Sequence, residues 1–96
     1  MKIKDLRNGM KRVSVKAKVI EKSDPREVLS RFKDTTHMVA TAIIVDETGK
    51  IKLTLWNDQI SQVNVNDTVK VENGYVTSFK GEVQLNIGRY GKLTVE

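Results

Sequence analysis

Hydrophobic residues recur at every second position along most of this chain. Val13, Val15, Ala17 and Val19 alternate with Ser14, Lys16 and Lys18. Ile51, Leu53 and Leu55 alternate with Lys50, Lys52, Thr54 and Trp56, and Val83, Leu85 and Ile87 alternate with Glu82, Gln84 and Asn86. A period of two puts alternate side chains on opposite faces, so each segment predicts a strand with one face to a core and one to water. Met38 to Val45 is apolar at both parities, the pattern of a strand covered on both faces or of one whose period carries no information.

Between these runs lie turn residues. Glu47-Thr48-Gly49 predicts a tight turn between the second and third strands. Asn66-Asp67 precedes a fourth strand from Thr68 to Phe79, Lys80-Gly81 joins it to a fifth, and Arg89-Tyr90-Gly91 separates the fifth from a short sixth, Lys92 to Val95. Within the fourth strand the parity changes: Val69 and Val71 share one face, but past Asn73-Gly74 the core-like residue is Val76. One inserted residue at Asn73-Gly74, a β-bulge, accounts for the shift, with glycine supplying the backbone freedom. Asp58 to Val63 predicts a short helix after the third strand, capped by Asp58, with Ile60 and Val63 on one face.

The segment Ser23 to His37 breaks the regularity. It is long for a connection, holds the only proline, and carries Arg26, Arg31 and Lys33. Val28, Leu29 and Phe32 suit either one helical turn or an extension of the first two strands into a ribbon. Five strands, a short helix after the third, a long first loop and a short extra strand predict an all-β, five-stranded Greek-key barrel of the oligonucleotide/oligosaccharide-binding (OB) type. In such barrels the face of the second and third strands carries the ligand.

Composition narrows the function classes. With 96 residues the chain is read as a single domain over 1–96. The absence of cysteine excludes disulfides, thiolate metal sites and cysteine nucleophiles, and the single His37 argues against a zinc site or a histidine-based triad. No phosphate-binding loop and no carboxylate set with metal-ligand spacing is present, so neither an enzyme nor a cofactor or metal is expected. Asp46-Glu47 opens a tight turn, where acidic residues are ordinary. Seventeen Lys and Arg against twelve Asp and Glu give a net charge of +5, which favours an anionic partner. No apolar segment is long enough to span a bilayer, and a cytoplasmic, nucleoid-associated location is expected.

Trp56 is the most informative residue. It shares a face with Lys50, Lys52 and Thr54, opposite Ile51, Leu53 and Leu55. Tyr75 and Phe79 take the polar face of the fourth strand, four residues or roughly 13 Å apart. Aromatic rings on polar faces are platforms on which bases stack, and interleaved lysines attract phosphate. A lone aromatic at such a parity is as well explained by closing one end of a barrel; three on two strands favour binding. Lys52 lies on the face of Trp56, Lys80 and Arg89 flank the fifth strand, Arg31 and Lys33 belong to the long loop, and Asn57 can hydrogen-bond a base edge.

The segments VDETGKIKLTLWNDQ (45–59) and NVNDTVKVENGYVTSFKGEVQLNIGRYGKL (64–93), with the opening KIKDLRNGMKRVSVKAKVIEKSDPREV, resemble the OB domains of archaeal replication protein A and the related simple single-stranded-DNA-binding proteins. The resemblance covers nearly the whole chain. It implies binding of single-stranded DNA in replication, repair and recombination without catalysis. It places the family's stacking aromatics on Trp56, Tyr75 and Phe79 and a basic position on Arg89. Other OB modules, or replication and repair proteins, are implied partners, and the chain is compatible with being one module of a longer protein. The glycine frequent near the tip of the first long loop in that family is missing from FKDTT. Two other readings fit the residues: an RNA-binding OB domain, and a protein-interaction module whose aromatics fill a partner's pocket.

Overall fold

The computed structural model describes residues 2–29, 36–88 and 91–96. After a single 3-10 turn at Ile3–Asp5, the elements in chain order are β1 (Lys11–Lys22), β2 (Arg26–Leu29), β3 (Thr36–Asp46), β4 (Gly49–Trp56), α1 (Asp58–Gln62), β5 (Thr68–Phe79), β6 (Glu82–Asn86) and β7 (Lys92–Val95). Hydrogen-bonded neighbours run β1-β3-β4-β6-β5, and β5 returns to pair with β1, so five strands close a barrel. The β4–β6 pair is parallel, with Lys52 opposite Gln84 and Thr54 opposite Asn86. This is the expected OB-type barrel, with its short helix after the third of the predicted strands and its extra C-terminal strand.

The interior follows the period-two pattern. Val13, Val15, Ala17 and Val19 on β1, Ala40, Ala42 and Ile44 on β3, and Ile51, Leu53 and Leu55 on β4 are all buried. Ile60 of α1 and Val63 just after it close one end, and Ile3 and Leu6 join the same core. Burying such side chains contributes about 1.5–3 kcal/mol each, so the alternation drives closure. Two expectations change. Val83, paired by parity with Leu85 and Ile87, is 37% exposed, because it lies beside the β5–β6 turn. Asp58 does not cap α1: Asn57 takes the N-cap position, Asp58 is the first helical residue, and the Asn57 side chain makes no cap hydrogen bond. The amide of Ile60 instead bonds the Asn57 carbonyl.

Three bulges among the described residues shape the barrel. Val13 lies opposite Gly74 and Val15 opposite Val71, so β5 carries one extra residue between them. At this point the free edge of β5 changes partner, from β7 (Val69 to Glu72) to β6 (Tyr75 to Phe79). The left-handed angle falls on Asn73 (φ 57°), not on the glycine as the sequence suggested. Gly74 serves close approach instead, since a Cβ there would meet the Asn86 carbonyl oxygen at 2.8 Å. A second bulge lies at Arg12, also at positive φ.

The third bulge, at Ile20, reverses the parity of β1. Lys22 therefore lies opposite Ala42, on the inward parity. Its ammonium donates to the Val63 carbonyl at 2.8 Å and to the Ile60 carbonyl, holding the C-terminal end of α1 against the barrel.

Of the segment left open by the sequence, the described residues form the ribbon rather than the helical turn, and Phe32 lies outside them. β2 pairs with the start of β3, Arg26 opposite Val39 and Val28 opposite His37. Among the described residues no helix is long and apolar enough to cross a membrane.

Candidate nucleic-acid interface

The outward face of β4, β6 and β5 is a grid fixed by register. Trp56 lies opposite Val39 on β3. The next row runs Thr41, Thr54, Asn86, Tyr75, and the one after it Ile43, Lys52, Gln84, Thr77. Phe79 and Glu82 face each other beyond it, at the β5–β6 turn. The three aromatics named by parity therefore occupy one continuous outer face, with hydroxyl and amide side chains between them. Trp56 is 41% exposed, Tyr75 39% and Phe79 60%.

Each aromatic is held differently. Trp56 ends β4, where its ring meets that of His37 edge-on at 6.3 Å between centroids. Val39 lies on the outer parity yet is buried, so it forms an apolar floor outside the barrel core, beside Trp56 and Val28. Tyr75 packs over Gly88, whose absent side chain makes room: a Cβ there would sit 2.6 Å from the ring, and its φ of 72° suits glycine independently. Phe79 precedes the Lys80-Gly81 turn, where φ values of 51° and 80° match a type I′ hairpin. That turn places the Lys80 ammonium 5.4 Å from the centre of the Phe79 ring.

One groove is lined by Arg26 and Val28 of the ribbon, Trp56, Thr77, Phe79 and Asn86. A second, adjoining it at Arg26 and Phe79, is lined by Lys52, Lys80, Glu21 and Glu82 among others. The ribbon thus forms one wall, with Trp56 and Phe79 lining the groove beside it, whereas Tyr75 lines a separate hollow with Lys11, Arg12 and Gly88. Asn86 also donates to Thr77 Oγ1 at 2.9 Å, which fixes its amide within the groove.

Of the other predicted positions, Lys52 lies on the grid with its Nζ 2.7 Å from Glu82 Oε2, and Lys80 stands at the rim. That contact holds the Glu82 carboxyl below the usual carboxylate range, chiefly through the hydrogen bond from Lys52. Asn57 has its amide committed within the protein: Oδ1 accepts from the Met38 N–H at 3.0 Å, and Nδ2 lies 3.2 Å from His37 Nδ1. Arg31, Lys33 and Arg89 lie outside the described residues, as do Phe32 and Tyr90. Sequence reasoning gave Arg26 and His37 no role in the site. The extended run Arg26–Leu29 directly after Pro25 was the available signal for Arg26. Nothing local marks His37, whose approach to Trp56 depends on the pairing of β3 with β4. Among the described residues no three acidic or histidine side chains converge as metal ligands would.

Comparison with known proteins agrees with this architecture. An OB domain from Thermoplasma acidophilum superposes with a TM-score of 0.84 at 26% identity, covering 100% of this chain and 85% of that one. The single-stranded DNA binding protein Ssb of Saccharolobus solfataricus is 38% identical over 92 residues, which are 96% of this chain and 61% of that protein. Replication factor A of Methanothermobacter thermautotrophicus is 35% identical over 78 residues, 80% of this chain and 10% of that protein. The chain thus spans about three fifths of the first relative's length and a tenth of the second's. The pattern of the Ssb-like single-stranded DNA binding proteins with an OB fold matches residues 6–95, and the chain belongs to that family.

Proposed function

We propose that this domain binds single-stranded DNA with little sequence preference and without catalysis, serving DNA replication, repair and recombination. The observation that carries the reading is the single outer face on which Trp56, Tyr75 and Phe79 are exposed together, with Arg26 of the ribbon, Lys52 and Lys80 lining the grooves beside Trp56 and Phe79. Stacking on an aromatic ring contributes about 1–3 kcal/mol per base and accepts any base, because every base has a π-face. Thr54, Thr77, Gln84 and Asn86 lie between the rings and offer hydrogen bonds to base edges. A duplex hides its base faces, so this face selects for an unpaired strand. Arg31, Lys33 and Arg89 add cationic charge to the same function, and other OB modules or replication proteins are its partners in the cytoplasm. The family's named members and replication factor A support the reading through what their names say they bind and do.

The test is competition for a labelled oligo(dT) by unlabelled single-stranded DNA, duplex DNA and RNA of equal length. The expected order is single-stranded DNA first and duplex last. Neutralising about three to five phosphates predicts a log–log salt slope of about −2 to −3.5, from about 0.7 per phosphate on single strands. Equal competition by duplex, or no response to salt, would contradict the reading; preference for RNA would replace DNA by RNA as the ligand.

A further inference from the structure

The Lys52 ammonium has a partner in the unliganded domain. Its Nζ donates to Glu82 Oε2 at 2.7 Å, and both side chains are exposed. Register makes the contact possible: Lys52 lies opposite Gln84 on β6, and Glu82 is two residues earlier, on the same face. Glu82 also lies directly opposite Phe79, whose ring has the Lys80 ammonium beside it. A carboxylate paired with one lysine therefore lines the same groove as a second lysine, an exposed aromatic ring and Arg26. A single strand lying in this groove would meet Lys52 with its phosphates, and Lys52 is already held by this carboxylate.

We propose that Glu82 is an internal stand-in for phosphate, an affinity-limiting residue that the backbone of a bound single strand displaces from Lys52. The inference rests on the single-stranded-DNA reading and deepens it. An exposed ion pair is weak, so the exchange is cheap, but it is not free. It also changes the ion balance. A phosphate reaching Lys52 releases condensed cations from the DNA, while the freed Glu82 carboxylate recovers a screening cation. The Lys52 contact then adds little to the salt slope as long as Glu82 is present.

The experiment is anisotropy titration of a labelled oligo(dT) across a salt series, using the full chain. The variants are Glu82→Gln, Glu82→Ala, Lys52→Gln, the double variant Lys52→Gln/Glu82→Gln, and Glu96→Gln as control. Glu96, the residue after β7, pairs with Lys16 of β1 at the same 2.7 Å, outside the groove. Both Glu82 variants are expected to tighten binding about two- to five-fold at low salt, the range set by the strength of an exposed ion pair. They should steepen the salt slope by up to about 0.7. The double variant should lose that gain, and Glu96→Gln should show little of it. Unchanged or weaker binding in both Glu82 variants, an equal gain in Glu96→Gln, or a gain that survives loss of Lys52 overturns the inference while leaving the binding reading intact. No binding of oligo(dT) by the wild type overturns the underlying reading, and the inference with it.

Discussion

Asn57 grips Met38 through both its backbone and its side chain: its N–H donates to the Met38 carbonyl at 2.8 Å, and its Oδ1 accepts from the Met38 N–H at 3.0 Å. The side chain thereby extends the β3–β4 ladder one step beyond Trp56. It does so at φ 50°, ψ −118°, a conformation that costs a non-glycine residue about 1–3 kcal/mol. Replacing Asn57 by Ala keeps that strain and deletes the grip, whereas Gly deletes the grip and relieves the strain. Chemical denaturation should find Asn57→Ala the less stable of the two by about 1 kcal/mol or more. Both should weaken single-strand binding several-fold by loosening Trp56 and His37. Equal stability of the two variants would show that the backbone is not strained at Asn57.

Adjacent residues on β4 should give opposite phenotypes. Leu55 has no exposed surface, and Trp56 faces outward. Leu55→Ala should cost roughly 2–5 kcal/mol of stability through the cavity it leaves. Trp56→Ala should leave the fold nearly as stable and cost about 1–3 kcal/mol of single-strand affinity, roughly five- to 150-fold in Kd. Tyr75→Ala and Phe79→Ala should resemble Trp56→Ala, and Val71→Ala should resemble Leu55→Ala. Denaturation and oligonucleotide anisotropy on the same protein samples separate the two classes.

Gly74 should tolerate no side chain. The carbonyl oxygen that a Cβ would meet belongs to Asn86, opposite Tyr75 in the β5–β6 ladder, and cannot retreat without breaking it. Gly74→Ala is expected to cost about 1–3 kcal/mol, the usual range for overpacking. A stable Gly74→Ala variant would place the bulge elsewhere.

Acid stability should depend on Asp46. Partial burial pushes this carboxyl up, but hydrogen bonds from the Thr48 hydroxyl and the amides of Ile3, Thr48 and Gly49 outweigh it and hold the pKa at about 2, against an ordinary value of 3.8. A carboxyl depressed in the folded state binds fewer protons there than in the unfolded chain. Its stabilisation is complete above about pH 4 and is lost as pH falls through about 2. Asp46→Asn should be less stable than the wild type at neutral pH, with the gap closing between about pH 4 and 2. A gap that stays constant with pH would mean that Asp46 acts through shape alone.

The barrel and the aromatic face were legible in the sequence for one reason. Alternation reports which side of a strand is dry, and Trp56, Tyr75 and Phe79 stood on the wet side of strands whose dry side was unambiguous. Val83 was misread because parity cannot say where a strand leaves the barrel. The left-handed residue of the β5 bulge was misplaced by one position because Asn and Gly both tolerate it, and only the packing of Asn86 against Gly74 decides which does so. The ribbon wall, with Arg26 and Val28, and the contact of His37 with Trp56 depend on pairings across a long connection that no local pattern encodes. The Lys52–Glu82 pair was hidden for the same reason: residues thirty positions apart meet only through the parallel β4–β6 pairing.

The outer face carrying Trp56 is expected to receive an unpaired strand. Trp56 is the only tryptophan, so intrinsic fluorescence reports on this face alone. Titration of the wild-type chain with oligo(dT) at micromolar protein and low salt should quench its emission saturably, and duplex of equal length should do so far less. Equal quenching by both, or none by either, would contradict the assignment of this face as the binding site.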